Sequence, residues 1–458
     1  MAGIGFQLRR ILAGNDYTST TKAYLYATVL SAGPWLSPVV CLVGLGIFYH
    51  LVVSYESMTM VRITVIYTYI FSFIFTGSFQ ILETRYLSDI IYQGKKEACL
   101  PAFVSIFVLI LPISLFMATG FYYFVDMSIL YRLIAVSLYT ILCGIWLGMN
   151  FLSVVKDYTA IFCGFFIGAL VSFLGAIGLG RVLGIEGFLL GFTIGQFVTL
   201  VMFLGKIMGE FSGSYSFSAD MFRYVKIYPE LLVTGFAFNM AIWVDKFIFW
   251  LPETGVKIHS LFYSCGDYEG GTLLAFLTVV PSFAIFLIRV ETGFYEKWRL
   301  FYETLLNKRP LALIRKSKGE MIDSLRNGIF NLVKIQAPIS ICFLIFAPQI
   351  VGFLGLSPVA LFIFRIAVVG AFLQAFLMMS LIILYYFDFR KSVMQVSLVY
   401  LVAHLFLSYV THEAGVRYFG YGYFLANLWC LLYAYAILTK KLDNLEYITF
   451  AFQPLPTL

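Results

Sequence analysis

The chain has 458 residues, 61% hydrophobic and 12% charged, with a mean hydropathy of +0.90, against roughly 45–50% apolar and 25% charged in soluble domains. That composition excludes a soluble globular domain and defines a polytopic membrane protein. The formal charge of +7 lies in loops between apolar spans, so it speaks for orientation in a bilayer and against nucleic acid as a partner.

Residues 1–22 open the chain as an interfacial N-terminus. Ile4–Leu12 repeats apolar residues at helical spacing with Arg9 and Arg10 on the polar side, the pattern of a helix lying in the membrane interface. Met1–Thr21 is too short of apolar residues for a cleavable signal peptide.

Apolar spans follow at Ala23–Tyr49, Met60–Leu82, Leu100–Val125, Ile129–Leu152, Tyr158–Gly180 and Glu186–Met208. After a polar break come Pro229–Trp250, Gly271–Ile288, Asn327–Phe353, Pro358–Phe387, Val393–Val410 and Tyr418–Leu438. Each is about 20 residues or longer, enough to cross a bilayer as a helix. The expectation is an all-α protein of twelve transmembrane helices in two six-helix bundles, 23–208 and 229–438. A Ser/Gly-rich linker, 209–228, joins them, and a tail, 439–458, follows. Six plus six spans would make parallel repeats with a site near mid-membrane.

With an even number of spans both termini share a side, and 24 of the 31 lysines and arginines fall on it or in its loops. The positive-inside rule puts both termini in the cytoplasm. The cytoplasmic loop 289–326 mixes Glu291, Glu296, Glu303 and Glu320 with basic residues. Its apolar residues recur every three to four, suggesting a helix along the inner surface. Two readings stand: a solvated linker, or a docking site for a cytoplasmic partner around Glu291, Trp298, Arg299 and Arg315.

The seven cysteines form no disulfide framework; five lie inside apolar spans, where a thiol acts as a small hydrophobe, and Cys265 lies alone in a loop. No P-loop, H-E-x-x-H or G-x-S-x-G motif occurs, and the four histidines are scattered. Nothing therefore points to an enzyme, a cofactor or a metal.

The span Tyr228–Trp250 carries Asn239, Asp245 and Lys246. An ionisable residue inside a membrane segment costs about 2.5–3.5 kcal/mol on insertion scales and marks a functional site by default. Neighbouring helical residues point about 100° apart, so Asp245 and Lys246 are not expected to face each other. Lys246 is expected to snorkel to the outer interface, leaving Asp245 in want of another partner, for which Arg365 lies at comparable depth. His404 sits mid-span, either as hydrogen-bonded packing or as a proton relay. Gln374, Glu83, Asn150, Gln196 and Asn427 are polar groups in or at the ends of spans that join helices or line a path. Pro34 and Pro38 would kink the first span, as a static bend or as a gate. Aromatic faces such as that of Trp35 suit a sugar ring.

The opening MAGIGFQLRRIL, the run KAYLYATVLSAGPW (Lys22–Trp35), IWVDKFIFW (Ile242–Trp250) and PSFAIFLIRVETGFYEKW (Pro281–Trp298) resemble the PelG family, inner-membrane transporters of bacterial Pel exopolysaccharide systems. The resemblance implies a fold like that of the multidrug/oligosaccharidyl-lipid/polysaccharide (MOP) flippases. It also implies outward movement of a galactosamine-rich polymer or its precursor. The implied partners are that polysaccharide, a cytoplasmic glycosyltransferase and further inner-membrane Pel proteins, in the bacterial inner membrane. A cationic, partly deacetylated polymer would suit an acidic wall residue such as Asp245. The alternatives are a multidrug or small-cation antiporter of the same superfamily, and a non-transporting membrane scaffold for a glycosyltransferase complex.

Overall fold

The computed structural model describes residues 33, 36–155, 157–211, 215–218, 220–286 and 292–452. The expected N-terminal interfacial helix, Pro34, Trp35, Glu291 and the last residues of the tail lie outside the described residues. The elements are α1 (Leu36–Phe48), α2 (Tyr55–Tyr92), α3 (Cys99–Tyr123), α4 (Ile129–Val155), α5 (Tyr158–Glu210), α6 (Asp220–Ile227) and α7 (Pro229–Phe249). A two-stranded antiparallel hairpin follows, β1 (Val256–His259) and β2 (Phe262–Ser264). Then come α8 (Gly266–Thr278), α9 (Val280–Ile285), α10 (Thr292–Leu306), α11 (Leu311–Ile345), α12 (Ala347–Phe353), α13 (Pro358–Tyr386), α14 (Arg390–Glu413), α15 (Tyr421–Asp443) and α16 (Leu445–Phe452).

Among the described residues ten helical stretches are long and apolar enough to cross a membrane, with α8 and α9 forming one of them and α1 a shorter apolar helix. One of the ten, α5, is 53 residues long and holds the expected fifth and sixth spans, turning at Gly184 (φ 61°, ψ −135°). That backbone conformation is essentially confined to glycine, so the RVLGIEG stretch bends there without a loop. Counted with α1 and both arms of α5, the described helices are consistent with twelve spans. Side-chain caps start three of them: Ser54 on α2, Asp157 on α5 and Ser357 on α13 each accept from a backbone N–H three residues on, satisfying one of the orphan donors of a helix N-terminus.

Two compact units divide the chain. One holds the described residues within Met1–Asn239, Trp250–Cys265 and Val280–Ala337, the other those within Met240–Phe249, Gly266–Val279 and Pro338–Leu458. The boundary therefore cuts α7 after Asn239 and does not coincide with the 209–228 segment.

In the first unit, polar groups in the spans pair between helices, as groups shielded from water must. Trp146 donates to Ser72 Oγ (3.0 Å), Tyr69 to Gln196 Oε1 (2.9 Å), and Thr64 and Tyr131 share a 2.8 Å bond. Glu83, fully buried on α2, accepts from Asn150 Nδ2 at 2.8 Å. Glycines let the two arms of α5 touch: a Cβ on Gly191 would lie 2.1 Å from the carbonyl carbon of Gly175. The α2–α7 crossing is as close, since a Cβ on Gly235 would lie 2.2 Å from the Gly77 carbonyl oxygen.

The 289–326 loop differs from a single helix on the inner surface. Its described part is α10 and the start of α11, tied by Lys297–Glu320 (2.8 Å) and by Thr304 to Ser317 (3.1 Å). Phe294, Phe301, Ile314 and Met321 are buried, which accounts for the three-to-four spacing as packing within the protein. At 35 residues α11 is about 52 Å long at 1.5 Å per residue, longer than a hydrocarbon core of roughly 30 Å.

The second unit packs α8 and α15 on α13, and α14 on α15. Gly370 makes room for the ring of Tyr423, and Gly422 lies against the backbone of Leu407 and Ser408. This close packing brings the polar side chains of four spans onto the end of α7.

Candidate functional site

The site is a buried polar cluster inside the second unit. Helix α7 contributes Asp245 and Lys246, α8 contributes Tyr268, α13 Gln374, α14 Tyr400 and His404, and α15 Tyr423. Asp245 and His404 are fully buried and Lys246 is 5% exposed. Lys246 Nζ lies 2.9 Å from Oδ2 and 3.1 Å from Oδ1 of Asp245. The Tyr268 hydroxyl donates to Asp245 Oδ2 at 2.8 Å.

Two sequence-based expectations are corrected by this geometry. Lys246 does not snorkel to an interface, and it does face Asp245. The 100° rule describes where the Cβ atoms start, but the four-carbon lysine stem is long enough to curl back to its neighbour. Aromatic rings close over the ammonium: those of Trp243, Phe276, Tyr423 and Tyr268 have centroids 5.5, 5.6, 5.9 and 6.0 Å from Nζ. A cation desolvated among ring faces is held by their quadrupoles. Arg365, in turn, is exposed and is not a partner of Asp245, because the adjacent lysine already supplies the counter-charge.

His404 Nδ1 lies 2.7 Å from the carbonyl oxygen of Ala241, which can only accept, so Nδ1 carries the hydrogen. The other ring nitrogen, Nε2, then faces Asp245 Oδ2 at 4.0 Å. The ring stacks on Tyr400 at 5.5 Å and lies 5.6 Å from Tyr423. Tyr423 donates its hydroxyl to Gln374 Oε1. Gln374 Nε2 and His404 Nε2 have no hydrogen-bond partner among the described residues. Tyr268 stacks on Phe249 at 3.7 Å, which fixes the ring that points its hydroxyl at the carboxylate.

Of the residues singled out in the sequence, the structure thus joins Asp245, Lys246, His404 and Gln374. Asn239 belongs to the first unit: its Nδ2 donates to Gly235 O at 2.8 Å and lies where a Cβ on Gly77 would stand. Pro38 is buried in α1. Trp298 stacks on Tyr295 (5.8 Å) and meets the tilted ring of Tyr302 (4.8 Å) on α10. Arg299 is paired with Glu303 at 2.7 Å, and Arg315 is exposed. Sequence reasoning missed Tyr268, Tyr400 and Tyr423. Tyr268 lies before the expected start of its span, in GDYEGG, and a lone tyrosine among 31 carries no signal of its own.

The cluster is charge-balanced. Burying two ions costs several kcal/mol each, which their attraction offsets only with good geometry and further hydrogen bonds; the second bond to Asp245 comes from Tyr268.

Comparison with solved structures gives the fold. An outward-facing multidrug resistance MATE family transporter of the MOP superfamily superposes with a TM-score of 0.65 at 12% identity, over 93% of this chain and 96% of that one. A MOP superfamily transporter from Pyrococcus furiosus Vc1 gives 0.62 at 12% identity, over 93% and 96%. An inward-facing MATE family transporter gives 0.55 at 14%, over 92% and 95%. No curated protein sequence matches the chain. Residues 1–450 match the model of the family described as "PelG: Putative exopolysaccharide Exporter (EPS-E)". The chain is a multi-pass membrane protein with a MATE-like fold, and it belongs to the PelG exopolysaccharide exporter family.

Proposed function

We propose that this chain carries Pel-type exopolysaccharide, a galactosamine-rich polymer or its precursor, from the cytoplasm to the periplasm across the bacterial inner membrane. Movement is by alternating access of two six-helix halves, 23–208 and 229–438, or through a channel between them, with both termini in the cytoplasm. The observation that carries this reading is the family match over residues 1–450. A cytoplasmic glycosyltransferase and further inner-membrane Pel proteins supply the cargo, and the α10–α11 pair with Glu291, Trp298, Arg299 and Arg315 is where the glycosyltransferase docks.

The path runs past Asp245, His404, Gln374, Asn239 and Trp35, with Pro34 and Pro38 as bends of the gate. Asp245 is already neutralised by Lys246, so it is no free carboxylate for a cationic polymer in this conformation. Recognition falls instead to neutral groups with hydrogen-bonding capacity left over, His404 Nε2 and Gln374 Nε2, and to the rings beside them. This weakens the second reading, a small-cation antiporter, which the MATE-like fold would otherwise favour.

Purified protein in liposomes tests the proposal. Uptake of a fluorescent, partly deacetylated galactosamine oligosaccharide is the expected result. Proton-driven dye efflux without sugar movement would favour the antiporter, and retention of the glycosyltransferase with neither activity would favour a scaffold.

A further inference from the structure

The connection between α7 and α8 packs on α2 at Tyr67 and on the end of α3 as a strap, with Trp250 at its start and the β1–β2 hairpin as its body. Trp250, the hairpin and the parts of α2 and α3 that they touch all belong to the first unit. Trp250 stacks face to face on Tyr67 of α2, centroids 4.3 Å apart and planes 10° from parallel. Phe262 is fully buried, edge-on to Tyr67 at 5.0 Å and to Phe121 at 6.0 Å. The Tyr67 hydroxyl donates to the carbonyl of Tyr263 (3.0 Å) and accepts from its N–H (3.2 Å). It pairs with β2 as one residue of a neighbouring strand would, and it covers the open edge of the hairpin.

The hairpin turn completes the other side. Ser260, with φ of 47°, points its hydroxyl at the carbonyl of Phe124 (3.3 Å) and accepts from the N–H of Asp126 (3.4 Å). His259 Nε2 lies 2.6 Å from the carbonyl of Asp126, so that nitrogen carries the hydrogen. Residues 124–126 follow the C-terminus of α3, where helix carbonyls lack intrahelical partners. The strap caps that helix end.

We propose that residues 250–264 are a fixed anchor, which Tyr67 and residues 124–126 hold throughout the transport cycle, so that the strap moves with the first unit and never lifts as a gate. The inference rests on the transport reading above. Lifting the strap would strip the carbonyls of Phe124 and Asp126 and both backbone groups of Tyr263 together, and would bare Trp250 and Phe262. A gate needs a seam that parts cheaply; this one is held by aromatic stacking and backbone hydrogen bonds.

Asp126→Cys with Ser260→Cys, in a background with the seven native cysteines replaced, can be tethered by mild oxidation. Uptake of the labelled galactosamine oligosaccharide by the oxidised protein is expected within twofold of the reduced protein. A tenfold fall, recovered with reductant, overturns the anchor. Amide hydrogen exchange in the cysteine-containing parent decides independently of transport. Residues 256–264 should be protected like the middle of α2, and Tyr67→Phe should speed exchange at Tyr263 at least tenfold. Hairpin amides that exchange as fast as open loops in the parent overturn the anchor. If parent vesicles take up no sugar, the transport reading fails, while exchange still supports or overturns the anchor.

Discussion

Gly191 and Gly175 face each other backbone to backbone across the two arms of α5, so close that a Cβ on Gly191 would stand 2.1 Å from the carbonyl carbon of Gly175. In lipid, helices gain from such contact through dispersion, not through the hydrophobic effect. Gly191→Ala should therefore force the arms apart and lower stability by about 1–3 kcal/mol. Gly205→Ala on the same helix meets nothing within 4 Å and should leave the unfolding temperature in detergent unchanged or slightly raised.

The bend at Gly184 gives a purely conformational test. A Cβ there meets nothing within 4 Å, yet φ is 61°. Gly184→Ala should cost about 1–3 kcal/mol from backbone strain alone. Gly178→Ala, with equally open surroundings in regular helix, should gain up to about 1 kcal/mol. Equal effects at the two positions in thermal unfolding would contradict the bend.

Removing one member of the Asp245–Lys246 pair should be far worse than removing both. Asp245→Asn leaves a buried ammonium without its counter-charge and should cost about 3–5 kcal/mol, whereas Asp245→Asn with Lys246→Met should recover most of that loss. Unfolding in detergent reads the stability. Sugar uptake by the folded double variant then reads whether the pair also serves the path.

The α10–α11 pair predicts a separable phenotype. Arg299→Glu with Arg315→Glu changes exposed residues, and the Arg299–Glu303 pair it removes is solvent-facing and screened, so little stability rests on it. Folding should persist while co-purification of the glycosyltransferase falls at least tenfold. Unchanged co-purification would remove the docking assignment.

Hydropathy located the spans because lipid demands about 20 apolar residues per crossing, and even the paired spans of α5 lay at their expected positions on either side of Gly184. The hairpin was not legible: VKIH alternates apolar and polar residues over only four positions and SLFYS does not alternate, and the strands are held by bonds from Tyr67 and residues 124–126, distant in sequence. Asp245 was found because a carboxylate in an apolar run is conspicuous. Its partner was misjudged because helical geometry fixes where a side chain leaves the backbone and not where a long one ends. Tyr268 became part of the cluster only through the packing of α8.

Adjacency of Asp245 and Lys246 also bears on how the protein is made. A lone charge must wait for its complement to be synthesised and inserted, at a penalty of about 2.5–3.5 kcal/mol in the meantime. In this chain the two charges emerge from the ribosome one after the other and can cancel as soon as the nascent segment coils. The segment can thus leave the translocon for lipid before the stretch bearing His404 has been translated.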